Sequence, residues 1–146
     1  MEAPSVWESL TGAAFELGYR QIGSWRTRVL TAGEEGNDVL ILMPGTGGHL
    51  EAYARNISAF AARFRVVAYD WPGHGYTTLA TADLEIPDYV AHLARLVDSL
   101  GAARVHLCGE SLGGWVAVKY AAACPDRVAR AVLNTPGGTM AAPAVM

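Results

Sequence analysis

Cys108-Gly109-Glu110-Ser111-Leu112-Gly113-Gly114 is the stretch on which the reading of this 146-residue chain turns. It carries Gly-x-Ser-x-Gly at 109–113. Ahead of it, Arg104-Val105-His106-Leu107-Cys108 is a short apolar run that reads as a buried strand. Behind it, Trp115 to Ala123 is rich in alanine and long enough for a helix. A strand, a sharp turn at a serine and then a helix is the setting that a nucleophile elbow requires. The serine must stand at a strained apex so that its oxygen clears the sheet. That strain crowds the residues two before and two after, and Gly109 and Gly113 remove the side chains that would clash there. Gly114 lets the helix pack closely on the strand. The helix N-terminus also puts the Leu112 amide where a negative oxygen could be stabilised.

Composition narrows the classes. Hydrophobic residues make up 51% and charged residues 17%, so the chain should fold rather than stay disordered. The net charge of −3 and the lack of a basic cluster argue against nucleic acid or an anionic membrane as partner. The start, Met1 to Glu8, has neither a basic nor an apolar signal region, and no apolar run reaches membrane-spanning length. Cys108 falls on the expected strand and Cys124 at a helix end; both are expected reduced, and cytoplasm is the expected compartment. No metal-ligand spacing is visible, and Gly45-Thr46-Gly47-Gly48 lacks the Lys-Ser/Thr of a phosphate loop. The expected partner is a small-molecule substrate, with no cofactor and no metal.

Taken in order, residues 1–18 read as an N-terminal extension with one apolar cluster, Val6, Trp7 and Leu10. Tyr19 to Ile22, Gly23-Ser24 and Trp25 to Leu30 read as a hairpin closed by a type II′ turn. Val39 to Met43 is a continuous apolar run, the mark of a strand covered on both faces. It ends at Pro44-Gly45-Thr46-Gly47-Gly48. A helix is expected from about 50 to 63, then a strand at 65–69, a turn-rich loop at 70–75 and a helix opened by Pro87 and stopped by Gly101. The strand at 104–108, the elbow and its helix follow, and Val128 to Leu133 is a last strand. A hairpin followed by strand–helix alternation predicts an α/β fold: a mostly parallel sheet with helices on both faces and an antiparallel start. The loops at 44–49, 70–75, 111 and 134–138 should converge beyond the carboxyl ends of the strands.

Together, the hairpin, Gly-Thr-Gly-Gly after the third strand, Asp-x-Pro-Gly-His-Gly after the fourth and Gly-Glu-Ser-Leu-Gly-Gly-Trp after the fifth resemble the α/β-hydrolase family over about residues 19 to 138. Within it, Tyr53-Ala54-Arg55-Asn56, Gly109 to Trp115 and Leu133 to Gly138 look most like the meta-cleavage-product hydrolases. Those enzymes cleave a carbon–carbon bond in products of aromatic ring opening. The resemblance implies Ser111 as nucleophile, with the amides of Thr46 and Leu112 as oxyanion hole and Gly45 and Gly47 letting that loop approach substrate. Two positions depart from the pattern: Pro44 stands where the loop usually opens with His, and Glu110 where ring-cleavage hydrolases often carry Asn.

The family's catalytic acid follows the seventh strand and its histidine the eighth, so the resemblance makes 19–146 the N-terminal part of the core domain, ending before lid, acid and base. The four histidines present are expected in other roles: His106 packed on its strand, His74 and His49 in loops, His92 on or near the solvent face of its helix. Asp70 reads as a turn residue capping nearby amides, and Trp71, Trp115 and Tyr53 as core aromatics. Three functions follow: a serine hydrolase resembling the C–C bond hydrolases; a carboxylesterase or thioesterase of the same fold; or a non-catalytic remnant acting as a binding module. As an edge strand, 128–133 would leave Val128, Val132 and Leu133 facing a missing layer, with self-association expected through that edge.

Overall fold

The computed structural model describes residues 5–139. Six strands form one sheet in the order β1-β2-β4-β3-β5-β6: β1 (Phe15–Ile22), β2 (Trp25–Ala32), β3 (Val39–Met43), β4 (Arg65–Tyr69), β5 (Val105–Glu110) and β6 (Val128–Asn134). β1 and β2 are antiparallel and continuously in register from Phe15↔Ala32 to Ile22↔Trp25, and β2 runs antiparallel to β4. All pairings from β4 through β3 and β5 to β6 are parallel. The α/β architecture expected from the alternation is the one found.

Three helices cover the sheet: α1 (Ala54–Ala61), α2 (Ile86–Ser99) and α3 (Leu112–Ala123). β3 is apolar throughout because both its faces are covered; Ile41, Leu42 and Met43 have no exposed surface. Alternate residues serve opposite cores. Ile41 and Met43 join Leu93, Leu96, Val97, Val116 and Tyr120 beneath α2 and α3, while Leu40 and Leu42 join Leu50, Ile57 and Ala61 beneath α1. Each such Leu, Ile, Val or Met side chain contributes about 1.5–3 kcal/mol on burial, so this two-faced strand anchors both layers. α2 begins as the sequence indicates, with Pro87 in its first turn and Glu85 and Asp88 forming a capping box.

Three local expectations are corrected. Within the extension expected over 1–18, the described residues 5–18 are not simply an extension: β1 starts at Phe15, and a 3-10 turn at Val6–Leu10 seats Leu10 in the core under α1. The helix expected over 50–63 is split into a 3-10 turn at Leu50–Tyr53 and α1. Val128 packs on the core, whereas Val132 and Leu133 are 61% and 40% exposed on the outer strand β6. The II′ turn is found, with Gly23 at φ 61° and Ser24 at an ordinary negative φ.

The strand order decides where a ligand can sit. The chain leaves β3 toward β4 on one side and leaves β5 toward β6 on the other. The loops after β3 and β5 therefore diverge and open a crevice between them.

Candidate active site

The elbow is built as its sequence requires. Ser111 sits between the end of β5 and the start of α3 at φ 48°, ψ −108°, a conformation costly for a residue with a side chain. A Cβ on Gly109 would run into the Gly113 carbonyl, and one on Gly113 into the Met43 carbonyl of β3. A Cβ on Gly114 would come within 2.9 Å of Pro136 Cβ. The serine occupies the N-cap position of α3, yet its hydroxyl makes no capping bond. A serine here ordinarily spends its oxygen on the helix amides. This one leaves Oγ free toward a cleft of about 620 Å³, lined by Thr46, Leu112, Glu85, Tyr89, Trp115 and Gly137 among others.

The loop after β3 forms the opposite lip. A Cβ on Gly45 would lie 3.3 Å from Ser111 Cβ, a tight contact that glycine avoids where this loop passes the serine. Gly47 takes φ 73° and turns the loop back. Three side chains hold it. Trp71 Nε1 donates to the Pro44 carbonyl at 2.8 Å, Tyr53 Oη donates to the Met43 carbonyl at 3.0 Å, and Asp70 Oδ1 accepts from the Leu50 amide at 2.8 Å. Burial pushes the Tyr53 phenol well above its ordinary range, so it remains a donor.

Asp70 is wholly buried and does more than cap a turn. Its Oδ2 accepts from the Tyr76 amide at 2.9 Å and faces Arg28 Nη1 at 3.4 Å. Arg28 also forks onto Glu51. Burial alone would raise the Glu51 carboxyl, but the Arg28 bonds hold it below its ordinary value. This charge cluster ties β2, the loop after β3 and the loop after β4 into one support.

The loop after β6 is stitched to the elbow. The Ser111 amide donates to the Asn134 carbonyl at 3.0 Å, and the Ser111 carbonyl accepts from the Gly137 amide at 2.8 Å. Thr135 takes φ 41°, and a Cβ on Gly138 would lie 2.6 Å from Trp115 Nε1.

Ser111, Thr46 and Leu112 therefore line one cleft, with Gly45, Gly47, Gly109 and Gly113 shaping its two lips. Trp115 lines this cleft rather than the core, whereas Tyr53, half-buried, packs on the core beneath α1, and Trp71 is fully buried, as expected of core aromatics. The wall from Leu84 to Tyr89 was not legible as part of a site, because it is the amphipathic start of α2. Its one signal is its place directly after the loop that follows β4.

No histidine lines the cleft among the described residues. His49 Nδ1 contacts Glu51 at 2.6 Å, His74 Nδ1 the Pro72 carbonyl at 3.1 Å, and His106 Nε2 faces Asp38 at 3.6 Å. His92, expected near solvent, is instead buried with Nε2 2.8 Å from Thr27 Oγ1, because the β1–β2 hairpin folds against that flank of α2. Among the described residues no cluster of His, Cys, Asp and Glu could hold a metal ion, and no helix is long and apolar enough to cross a membrane.

Comparison with known proteins agrees with this geometry. A family model described as the alpha/beta hydrolase fold matches residues 38–145. The chain is 36% identical over 118 residues to the dihydrolipoyllysine-residue acetyltransferase component of the acetoin cleaving system of Pseudomonas putida, covering 81% of this chain and 32% of that protein. It is 40% identical over 109 residues to the 2-hydroxy-6-oxononadienedioate/2-hydroxy-6-oxononatrienedioate hydrolase of Burkholderia vietnamiensis, covering 71% of this chain and 38% of that protein. The carboxylesterase CesB of Bacillus subtilis superposes with a TM-score of 0.79 at 29% identity, over 90% of this chain and 47% of that one. The chain thus spans from about a third to about a half of the length of these relatives. It belongs to the α/β-hydrolase family.

Proposed function

We propose that Ser111 is the nucleophile of a serine hydrolase and that the amides of Thr46 and Leu112 form its oxyanion hole. One observation carries this: a non-glycine residue at φ 48° whose hydroxyl is withheld from the helix cap and opens into the cleft. Strain of this kind persists where the surroundings over-determine it, and here it aims an oxygen. In the proposed reaction Ser111 Oγ bonds to a substrate carbonyl carbon as its proton passes to a base. The tetrahedral oxyanion is held by the two amides, and the leaving group departs with a proton. Water then cleaves the acyl-enzyme.

The base and its carboxylate partner are proposed to come from sequence beyond these residues, since all four histidines are engaged elsewhere and the relatives are two to three times as long. The preferred substrate class is the ring-opened products named for the Burkholderia vietnamiensis relative, whose C–C bond lies beside a ketone. A second reading, carboxylesterase, is favoured by the lining itself: among the described residues Glu85 is its one charged residue, which suits a neutral ester better than a dianion.

A phosphonate probe tests the assignment. A serine without a base is a weak nucleophile. The 146-residue chain should label slowly and lose all labelling in Ser111→Ala. Fast stoichiometric labelling would show that one of the four histidines already serves as base. Equal slow labelling of wild type and Ser111→Ala would remove Ser111 from the reaction.

A further inference from the structure

We propose that β1 is a self-complementary dimerisation edge, which pairs antiparallel with β1 of a second copy about a two-fold axis through Gly18. β1 is an outermost strand, eight residues long, and its register with β2 runs unbroken from Phe15 to Ile22. It has no proline, no lysine and no bulge, three of the devices that blunt an exposed edge. Its outer residues are apolar on one face, with Phe15, Leu17 and Tyr19 between 39% and 44% exposed. Trp7, stacked on Phe15 at 6.3 Å, extends that apolar face.

The occupant is argued from charge. Glu16 and Arg20 are the only charged residues of the strand, and they lie two before and two after Gly18, on the other face. Antiparallel pairing about Gly18 sets Glu16 of each copy opposite Arg20 of the other, and Leu17 opposite Tyr19. Two ion pairs and two apolar pairs then form by symmetry, as an isologous contact requires. Gly18 at the centre has nothing within 4 Å of where a Cβ would be, so the face between the Glu16 and Arg20 side chains is open for the crossing ion pairs. The other outer strand does not match itself. β6 carries one charge, Arg130, which in any antiparallel self-pairing faces either its own copy or an uncharged residue.

The test is concentration dependence. In hydrogen–deuterium exchange on the unaltered chain, amides 15–21 should gain protection as protein concentration rises, and light scattering should report a dimer. Glu16→Arg should weaken dimerisation about tenfold, as should Arg20→Glu, because each turns two attractive pairs into two repulsive ones. The double variant Glu16→Arg/Arg20→Glu should restore it. Circular dichroism confirms folding of each variant, and the exchange experiment stands without any variant. A chain monomeric at all concentrations overturns the proposal. So does protection confined to 128–134, or a double variant no better than the single ones.

Discussion

The indole of Trp71 donates through Nε1 to the carbonyl of Pro44 at 2.8 Å, joining the loop after β4 to the lip that faces Ser111. Trp71 is wholly buried, packed edge-on against Tyr69 at 4.8 Å and Tyr89 at 5.5 Å. A buried indole needs a partner for its N–H. Here that partner sits where the loop must hold its shape, so packing in the core fixes a carbonyl at the rim of the cleft.

Trp71→Phe keeps the aromatic contacts but orphans the Pro44 carbonyl and leaves a small void. Urea denaturation should show a loss of about 2–3 kcal/mol. Residual phosphonate labelling of Ser111 should fall further than that of an equally destabilised variant remote from the loop, such as Leu10→Ala.

Gly113→Ala and Gly47→Ala separate close approach from backbone conformation. A Cβ at 113 strikes the Met43 carbonyl, whereas Gly47, at φ 73°, has open space around it. Gly113→Ala should cost about 3 kcal/mol and broaden the thermal transition. Gly47→Ala should cost about 1 kcal/mol, the ordinary penalty for a left-handed residue. Equal losses would mean that steric closure at the elbow is not what selects glycine.

Ser111→Gly should be more stable than Ser111→Ala by about 1 kcal/mol, since glycine relieves the positive φ and alanine retains it. Thermal melts of the two variants give the comparison directly. If alanine is the more stable, the strain assigned to the elbow is absent in solution.

His92 should make the fold acid-sensitive. Burial, assisted by the nearby Arg95 charge, pushes its pKa from an ordinary 6.5 down to about 4. The unfolded chain then takes up a proton at 92 before the folded chain does, so this stability is fully present above pH 6.5 and is lost as pH falls toward 4. The loss is on the order of 3 kcal/mol across that window. His92→Gln should be less stable at neutral pH, because Thr27 Oγ1 loses its ring partner, yet should show a shallower pH dependence between 6.5 and 4. Urea midpoints measured across that range check both.

The elbow, the apolar β3 run, the glycine loop after it and the order of strands and helices are legible in the sequence because their causes are local. Gly109, Ser111 and Gly113 constrain one another over five residues, Val39 to Met43 is uniformly apolar because both faces are covered, and Pro87 starts α2 by its own ring. Contacts between distant segments leave no such mark. That Leu10 is core rather than extension depends on its meeting α1, where Ser58 Oγ donates to the Ser9 carbonyl at 3.1 Å. That His92 is buried depends on Thr27, 65 residues earlier, because a helix flank beside an apolar stripe is wet or dry according to what folds against it. Trp115 reads as a core aromatic on α3, but Gly137 and Gly138 press on one side of its ring and hold the indole in the wall of the cleft. Local chemistry determined which segments form the site's parts; the packing of segments far apart in the chain decided which side chains face the cleft, since burial is a property of the assembled surface.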